Sequence, residues 1–336
     1  MTAAVTVAQS GAPGVSLGFK NRIINGGMTI DQRYAGASVA APTNGQYVMD
    51  RWSFWTQGTG VYSVVQSTDA PPGFSNSALL TVTTADASVA TTDYYVFSQC
   101  IEGFNTSDMA FGTANAKTVT VSFWVKASVT GTFSGSLRNS AGDYAYPFQY
   151  TISSASTWEY KTVTIPGATA GTWLGATNGI GMRLWLGIGT GPTYTAPANA
   201  WVSKSGVIGA DSSTNLISTL GATFYITGVQ LEVGTAATQF EFRDYGRELI
   251  MCQRYFWQNP NTYYYYKSRE LDRNRVCSIP FPVTMRTAPT ITKVSDPAGF
   301  TWTWVTPSVQ SVPGSGTAPS DGYTDFTGVM QASAEL

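Results

Sequence analysis

Short runs in which apolar and polar residues alternate with a period of two recur along nearly all of this sequence, and only one segment carries a helical period. Strands produce that pattern when one face meets a core and the other does not, because successive side chains point to opposite faces. Such runs occupy 62–66, 78–83, 94–101, 118–127, 132–137, 159–165, 181–187 and 223–233. A strand with a glycine bend is expected over 22–30 and an aromatic strand over 50–55. Their number and spacing predict an all-β chain built as a two-sheet sandwich rather than alternating strands and helices. No fixed-period repeat of the solenoid or propeller kind is present.

The helical exception lies late in the chain. Tyr245, Leu249, Cys252 and Phe256, at spacings of four, three and four, predict one face of a helix of about three turns, with Arg247, Glu248 and Arg254 facing solvent. Glu241, Arg243, Asp244, Arg247 and Glu248 interleave opposite charges at near-helical spacing and read as a salt-bridged junction. Beyond it, short strands are expected at 263–266, 276–280, 290–294, 301–305 and 326–333. Pro280, Pro282 and Pro289 punctuate them, since proline lacks the ladder donor. The Gly-, Pro-, Ser- and Thr-rich stretch 306–322 reads as a long exposed loop. Residues 1–18 are small and bury too little apolar area to offset their ordering entropy, so they read as an arm, held by a neighbouring subunit or lying on its own domain. The expected division is an arm at 1–18, a β-sandwich at 19–243, a connecting helix at 244–258 and a small C-terminal β domain at 259–336.

Charge and residue types exclude whole classes of function. Lys and Arg number 19 against 20 Asp and Glu, a net charge of -1, so no basic excess drives counterion-release binding to nucleic acid. Histidine is absent, which removes the commonest general base, the usual partner of a nucleophilic Ser or Cys, and the most frequent zinc ligand. Hydrolysis by a carboxylate pair survives, needing only two carboxyls about 5–9.5 Å apart. Asp31, Asp50, Asp93, Asp143, Glu102, Glu159 and Glu232 are available, in no recognisable catalytic frame. No calcium-loop pattern occurs and no cofactor is implied. Cys100, Cys252 and Cys277 have neither the even count of a disulfide framework nor a close CxxC spacing, which suits folding in a reducing compartment. No run approaches the ~18 apolar residues of a membrane span, and 1–18 lack the basic and apolar blocks of a secretory signal, so the chain reads as soluble.

Sugar recognition without charge uses flat aromatic faces against pyranose rings, with amides, hydroxyls and Arg giving directed hydrogen bonds. In 118–126, Val119, Val121, Phe123 and Val125 share one strand face, and Thr120, Ser122, Trp124 and Lys126 the other. In 182–188, Met182, Leu184, Leu186 and Ile188 point inward and Arg183 with Trp185 outward. Trp124, Lys126, Arg183 and Trp185 are therefore candidate carbohydrate-binding residues on one sheet face; the alternative is that the indoles pack beneath loops or a neighbouring subunit. Tyr263, Tyr264, Tyr265 and Tyr266 would send two rings to each side of a strand, giving either a partner or receptor surface or one core-facing side. The glycines of 187–191 make no phosphate loop, because Pro192 and an irregular stretch follow instead of a helix.

The succession NRIINGGMTIDQR, DRWSFW, TVTVSFWVKAS, FYITGVQLEVG and YGRELIMCQRYF, closing with FPVTMRTAPTIT and FTGVMQASAEL, resembles the appendage proteins of tailed bacteriophages. These are tail-fibre and related virion proteins with a jelly-roll module similar to carbohydrate-binding modules. The resemblance covers roughly 19–336 and leaves the arm unmatched. It implies a jelly-roll sandwich, a virion structural component assembled in the host cytoplasm, and a homotrimer attached to other virion proteins through the arm. Its outer β surfaces would bind host-surface polysaccharide, or would decorate and stabilise the particle. A glycan-degrading depolymerase is the third alternative. The resemblance supplies no catalytic residues, and it implies neither nucleic-acid binding nor membrane insertion.

Overall fold

A half-buried strand is stable only where something covers its apolar side, and here two sheets do this for each other. The computed structural model of the chain describes residues 19–336 apart from 260–261, 269–273, 294–300, 305, 318–321 and 329. Its first strands are β1 (Val39–Ala40), β2 (Gln46–Met49), β3 (Trp52–Gln57), β4 (Val61–Ser67), β5 (Ser77–Thr84) and β6 (Tyr94–Glu102). There follow β7 (Val119–Ala127), β8 (Gly131–Asn139), β9 (Ala145–Ile152), β10 (Glu159–Ile165) and β11 (Ile180–Thr190). The two-residue β12 (Thr195–Ala196) and β13 (Gly209–Ala210) precede β14 (Thr223–Val233). The first sheet has the order β1-β4-β5-β14-β7-β10 and the second β2-β3-β6-β11-β8-β9. Packed face to face, they form the expected all-β jelly-roll sandwich.

The core between them contains the side chains that alternation turned inward. Val119, Val121, Phe123 and Val125 of the first sheet meet Met182, Leu184, Leu186 and Ile188 of the second, with Phe133, Phe148 and Phe224 in the same cluster. Each such residue contributes roughly 1.5–3 kcal/mol over an exposed position. Strand β9 was not foreseen because Pro147 interrupts its pattern; it is an edge strand, where a missing ladder donor is tolerated.

Residues 22–30 do not form the expected strand. They cross the interior as turns, with Asn25 and Met28 at φ of 57° and 56°. Two backbone bonds tie it to β14, from the Arg22 N–H to the Leu231 carbonyl and from the Val229 N–H to the Gly26 carbonyl (both 2.9 Å), and side chains do much of the rest: Gln99 Oε1 accepts from the Ile24 N–H (2.9 Å), and Asn25 Nδ2 donates to the carbonyls of Ile30 (2.8 Å) and Asp50 (2.9 Å). Glycine is needed at Gly26, where a Cβ would stand 2.2 Å from the Val229 carbonyl oxygen.

Helix α1 (Tyr245–Gln253) begins at Asp244, whose carboxylate accepts from the Arg247 N–H at 3.0 Å. Leu249 and Cys252 pack on Ile24, Ile30 and Tyr255 as the periodicity predicted. Two members of the pattern differ. Tyr245 is exposed, and Glu248 is buried because it accepts from the Asn25 N–H and pairs with Arg243 at 3.3 Å. Arg254 is also engaged, pairing with Glu102 at 2.6 Å. The expected charged junction centres on Arg243, which also pairs with Glu241 at 3.0 Å.

Phe256 leaves the helix and opens β15 (Phe256–Gln258). The remaining strands are β16 (Thr262–Ser268), β17 (Asn274–Pro280), β18 (Thr290–Lys293), β19 (Thr301–Trp304), β20 (Ser311–Thr317), β21 (Gly322–Gly328) and β22 (Met330–Ser333). They pair as β15-β22-β18, β16-β21 and β17-β20-β19. Thus 256–258, grouped with the helix by sequence, belongs to the C-terminal sheets. The stretch 306–322 is not one loop, since β20 lies inside it as a central strand. Its small residues carry no alternation; pairing to β17 and β19 on both sides makes the strand. Trp257, Ile279, Phe281, Met285, Val312 and Met330 form the core of this part.

The arm at 1–18 lies outside the described residues, and so do the side chains of Tyr263, Tyr264, Tyr265 and Tyr266, whose backbone pairs with β21. Among the described residues, Cys100 and Cys252 are buried free thiols, their pKa pushed up by burial. No helix of the described residues is long and apolar enough to cross a membrane.

Candidate functional site

Residues directly opposite each other in an antiparallel pair share a sheet face. Tyr160 of β10 stands opposite Trp124 of β7, and Tyr225 of β14 opposite Lys126. All four therefore occupy the outer face of the first sheet, turned away from the core. The Trp124 and Tyr160 rings lie 5.3 Å apart, tilted by 47°. Lys126 Nζ sits 4.2 Å from the Tyr225 ring centroid and 5.2 Å from that of Trp158. It forms an ion pair with Asp69, which also accepts from the Trp158 indole at 3.2 Å. The hydrogen bond from Lys126 holds the Asp69 carboxyl below the usual carboxylate range. Lys126 is thus anchored beside the open surface and does not line it.

A break in the ladder makes room next to Trp124. The register of β14 against β7 shifts between Thr227 and Gln230, and Gly228 within it has a φ of 62°. A Cβ at Gly228 would stand 2.7 Å from the Phe74 ring. With that position bare, Phe74 from the β4–β5 loop and Phe240 and Phe242 from the segment after β14 close over the sheet. Their centroids are 5.1, 5.2 and 4.9 Å apart. Between this trio and the Trp124–Tyr160 pair runs a groove of about 450 Å³. Gln239 also lines it, and its side-chain amide makes no hydrogen bond among the described residues. A second hollow of about 200 Å³ shares the Phe74, Phe240 and Phe242 wall and continues toward Glu241 and Arg243. Aromatic faces with a free amide between them can stack on a pyranose ring and bind its hydroxyls.

Arg183 and Trp185 do not join Trp124 and Lys126. They lie on β11, in the middle of the second sheet, and point away from the core on the opposite side of the sandwich. The expectation that the four line one sheet face is therefore corrected: alternation tells which way a side chain points from its own strand, and strand pairing decides which sheet that strand enters. Trp185 is 8% exposed, packed with Val96 and Ile208 and against Trp55 and Tyr194. Its ring is covered as the packing alternative described, and offers no open face to a sugar.

The carboxylates considered for hydrolysis have structural partners. Glu102 accepts from Arg254 at 2.6 Å and from the Tyr255 hydroxyl at 2.5 Å. Asp50 accepts from the N–H and the Nε2 of Gln32, both at 2.6 Å. Glu159 pairs with Lys161 (2.5 Å), Glu232 accepts from the Thr238 hydroxyl (2.6 Å), and Asp143 from Asn139 Nδ2 (2.6 Å). A larger hollow, about 900 Å³, lies between α1 and the sandwich, lined by Phe19, Phe104, Ile250 and Met251. Of the polar residues that also line it, Glu102 accepts from Arg254 and Tyr255, and Asp244 caps the first turn of α1.

Sequence reasoning found Trp124 and missed its companions. Tyr160 was legible, since it shares its side of 159–165 with Thr162 and Thr164, and the Phe240-Glu241-Phe242 alternation marks two rings for one side. Phe74 carries no such signal, because only the fold brings its loop over β14.

The sequence matches no protein-family model and no curated protein. Among solved structures the chain is similar to the enzymatically active domain of tailspike protein 4 of bacteriophage CBA120, at 16% identity and a TM-score of 0.36. That match covers 64% of this chain and 21% of the tailspike chain, so it spans about a fifth of that protein. A family 4 carbohydrate-binding module matches at 16% identity, 62% and 98% coverage of this chain and that one, and a TM-score of 0.32. The family 11 module of a Clostridium thermocellum cellulosomal cellulase matches at 13% identity, 60% and 99% coverage, and a TM-score of 0.29.

Proposed function

We propose that this protein is a non-catalytic glycan-binding β-sandwich that stacks sugar rings in the groove between Trp124 and Phe74. The observation that carries this reading is the groove itself: five aromatic rings and a free amide on the outer face of a sheet whose strands hold Trp124 and Tyr160 at adjacent positions. The engagement of Glu102, Asp50, Glu159 and Glu232 in local hydrogen bonds supports a role without hydrolysis. Trp124→Ala should weaken binding to a purified bacterial surface polysaccharide at least tenfold, a change of about 1.4 kcal/mol, without lowering the melting temperature. Isothermal titration with that variant and with Tyr160→Ala checks this; unchanged affinity in both would remove the groove from consideration.

The reading extends to a fibre-type appendage of a bacteriophage virion, homotrimeric and attached through residues 1–18, on the strength of the sequence resemblance described above. A second reading, a particle-decorating protein that binds no glycan, is favoured by the exposed apolar side chains of Phe104, Tyr245 and Ile250 around α1. Both readings expect three copies by size-exclusion chromatography with light scattering, and loss of particle binding on deletion of residues 1–18. A monomer at micromolar concentration contradicts both. Polysaccharide binding separates them, since only the first expects it.

A further inference from the structure

The outer face of the second sheet contains two arginines that form no ion pair with an acid among the described residues. Arg183 of β11 stands directly opposite Arg138 of β8, so both guanidiniums share that face. Arg138 is only 6% exposed. Each guanidinium gives one nitrogen to a nearby carbonyl: Arg138 Nη2 to Gly142 at 3.0 Å and Arg183 Nη2 to Ser140 at 3.1 Å. Arg138 Nε and Nη1, Arg183 Nε and the neighbouring Trp185 Nε1 are buried donors without a partner among the described residues. The Arg138 guanidinium lies over the Trp185 ring, 4.2 Å from its centroid, so the orphaned indole N–H is in the immediate neighbourhood.

Buried arginines elsewhere in the described residues have carboxylates: Arg51 has Glu335, and Arg243 has Glu241 and Glu248. Arg138 and Arg183 form no ion pair among the described residues, although like charges placed opposite each other are destabilising. Burial, and then the neighbouring Arg183, push the Arg138 pKa down to about 10. Cys100 of β6, directly opposite Arg183, supplies no compensating thiolate, because burial pushes its pKa up. A buried donor without an acceptor carries its full desolvation cost. Arg51 and Arg243 also leave Nε unpaired but have their carboxylates, whereas here Arg138 Nη1 and Trp185 Nε1 are orphaned too and both charges lack an acid, which marks a place suited to a negative acceptor.

We propose that Arg138, Arg183 and the Trp185 indole N–H form a binding site for an oxoanion, either the carboxylate of an acidic sugar or inorganic phosphate. The partly exposed Arg183 gives the site its access to solvent. A neutral hydroxyl could accept one of these hydrogen bonds but would leave both charges unpaired, so the site selects for negative charge. It lies across the sandwich from the Trp124 groove and does not depend on it.

The test follows the Trp185 indole N–H resonance of the full chain, assigned with Trp185→Phe, during titration with methyl glucuronide, inorganic phosphate and, as a neutral control, methyl glucoside. A saturable shift with glucuronide or phosphate and none with glucoside is expected; which of the two saturates identifies the source of the oxoanion. Arg183→Met should abolish the shift while melting no lower than the native protein, since it removes one of two like charges. Arg183→Lys, which retains charge without the planar fork, should weaken binding at least about tenfold. Trp124→Ala should leave the shift intact, so this site and the groove stand or fall separately. The proposal is overturned by the absence of a saturable shift with either anion, or by an undiminished shift in Arg183→Met.

Discussion

Glu335→Gln should destabilise the protein by about 3–5 kcal/mol, the cost of leaving a buried charge without its partner. Arg51 is 1% exposed, donates to the Cys100 carbonyl at 2.7 Å and lies with its guanidinium 3.6 Å from the Tyr255 ring centroid. Burial opposes its charge, yet with the Glu335 carboxylate beside it the guanidinium pKa rises. Glu335 also takes Arg33 at 2.9 Å, and Arg286 fastens the same segment by donating to the carbonyls of Ala334 and Glu335. The last residues of the chain are therefore pinned into the sandwich by a carboxylate that satisfies two arginines. The loss should appear as a fall in melting temperature of roughly 6–20 °C, at about 2–4 °C per kcal/mol for a protein of this size class. Replacing the pair together, as Arg51→Met with Glu335→Leu, should recover part of it, because the Arg51 charge is then no longer buried without an acid, while Arg33 still loses its partner. A Glu335→Gln protein that melts within about 2 °C of the native one would contradict this account.

Stability should also fall as the pH rises from 5 to 8, because of Asp50. Burial, the dominant influence, raises its pKa from the usual carboxylate range to about 7; Arg33 and the hydrogen bonds from Gln32 oppose the rise and Glu335 adds to it. Cys252 on α1 faces the same carboxyl. A folded pKa above the unfolded one means that the native state holds a proton the unfolded chain has released. This contribution is fully present below pH about 4 and is lost as the pH rises through 7. Over pH 5 to 8 the loss is on the order of 3 kcal/mol. Carboxyls with lowered pKa, Asp69, Glu159 and Glu241, act in the opposite sense at lower pH and are lost as the pH falls. Asp50→Asn isolates the effect: its stability relative to native should rise over this range by the same amount in urea titrations. Parallel pH profiles for the two proteins would show that Asp50 is not the cause.

The sandwich was legible in the sequence because alternation in 118–127 and 181–187 reports burial directly, residue by residue. Asn21 to Ile30 defeated the same reasoning. Its apolar residues are buried as in a strand, but its backbone is satisfied largely by the side chains of Gln99, Glu248 and Asn25, partners up to 223 residues distant, with only isolated backbone bonds to β14. Glu248 was expected at the surface for a related reason, since helical spacing shows which residues share a face and cannot show that a buried N–H and Arg243 await a carboxylate there. The groove was half visible: Trp124 stood out on its strand, whereas Phe74 and the bare Gly228 beneath it acquire meaning only once β14 lies between β5 and β7.

The order of residues along each strand determined by itself which side chains leave the core, because the period of two is a local property of extended backbone. Trp124, Lys126, Arg183 and Trp185 all point outward as that rule requires. Only the tertiary structure decided that the first two and the last two lie on opposite outsides of the sandwich. Sheet membership depends on pairing between segments far apart in the chain, such as Tyr225 with Lys126 and Arg183 with Arg138, which no local pattern encodes.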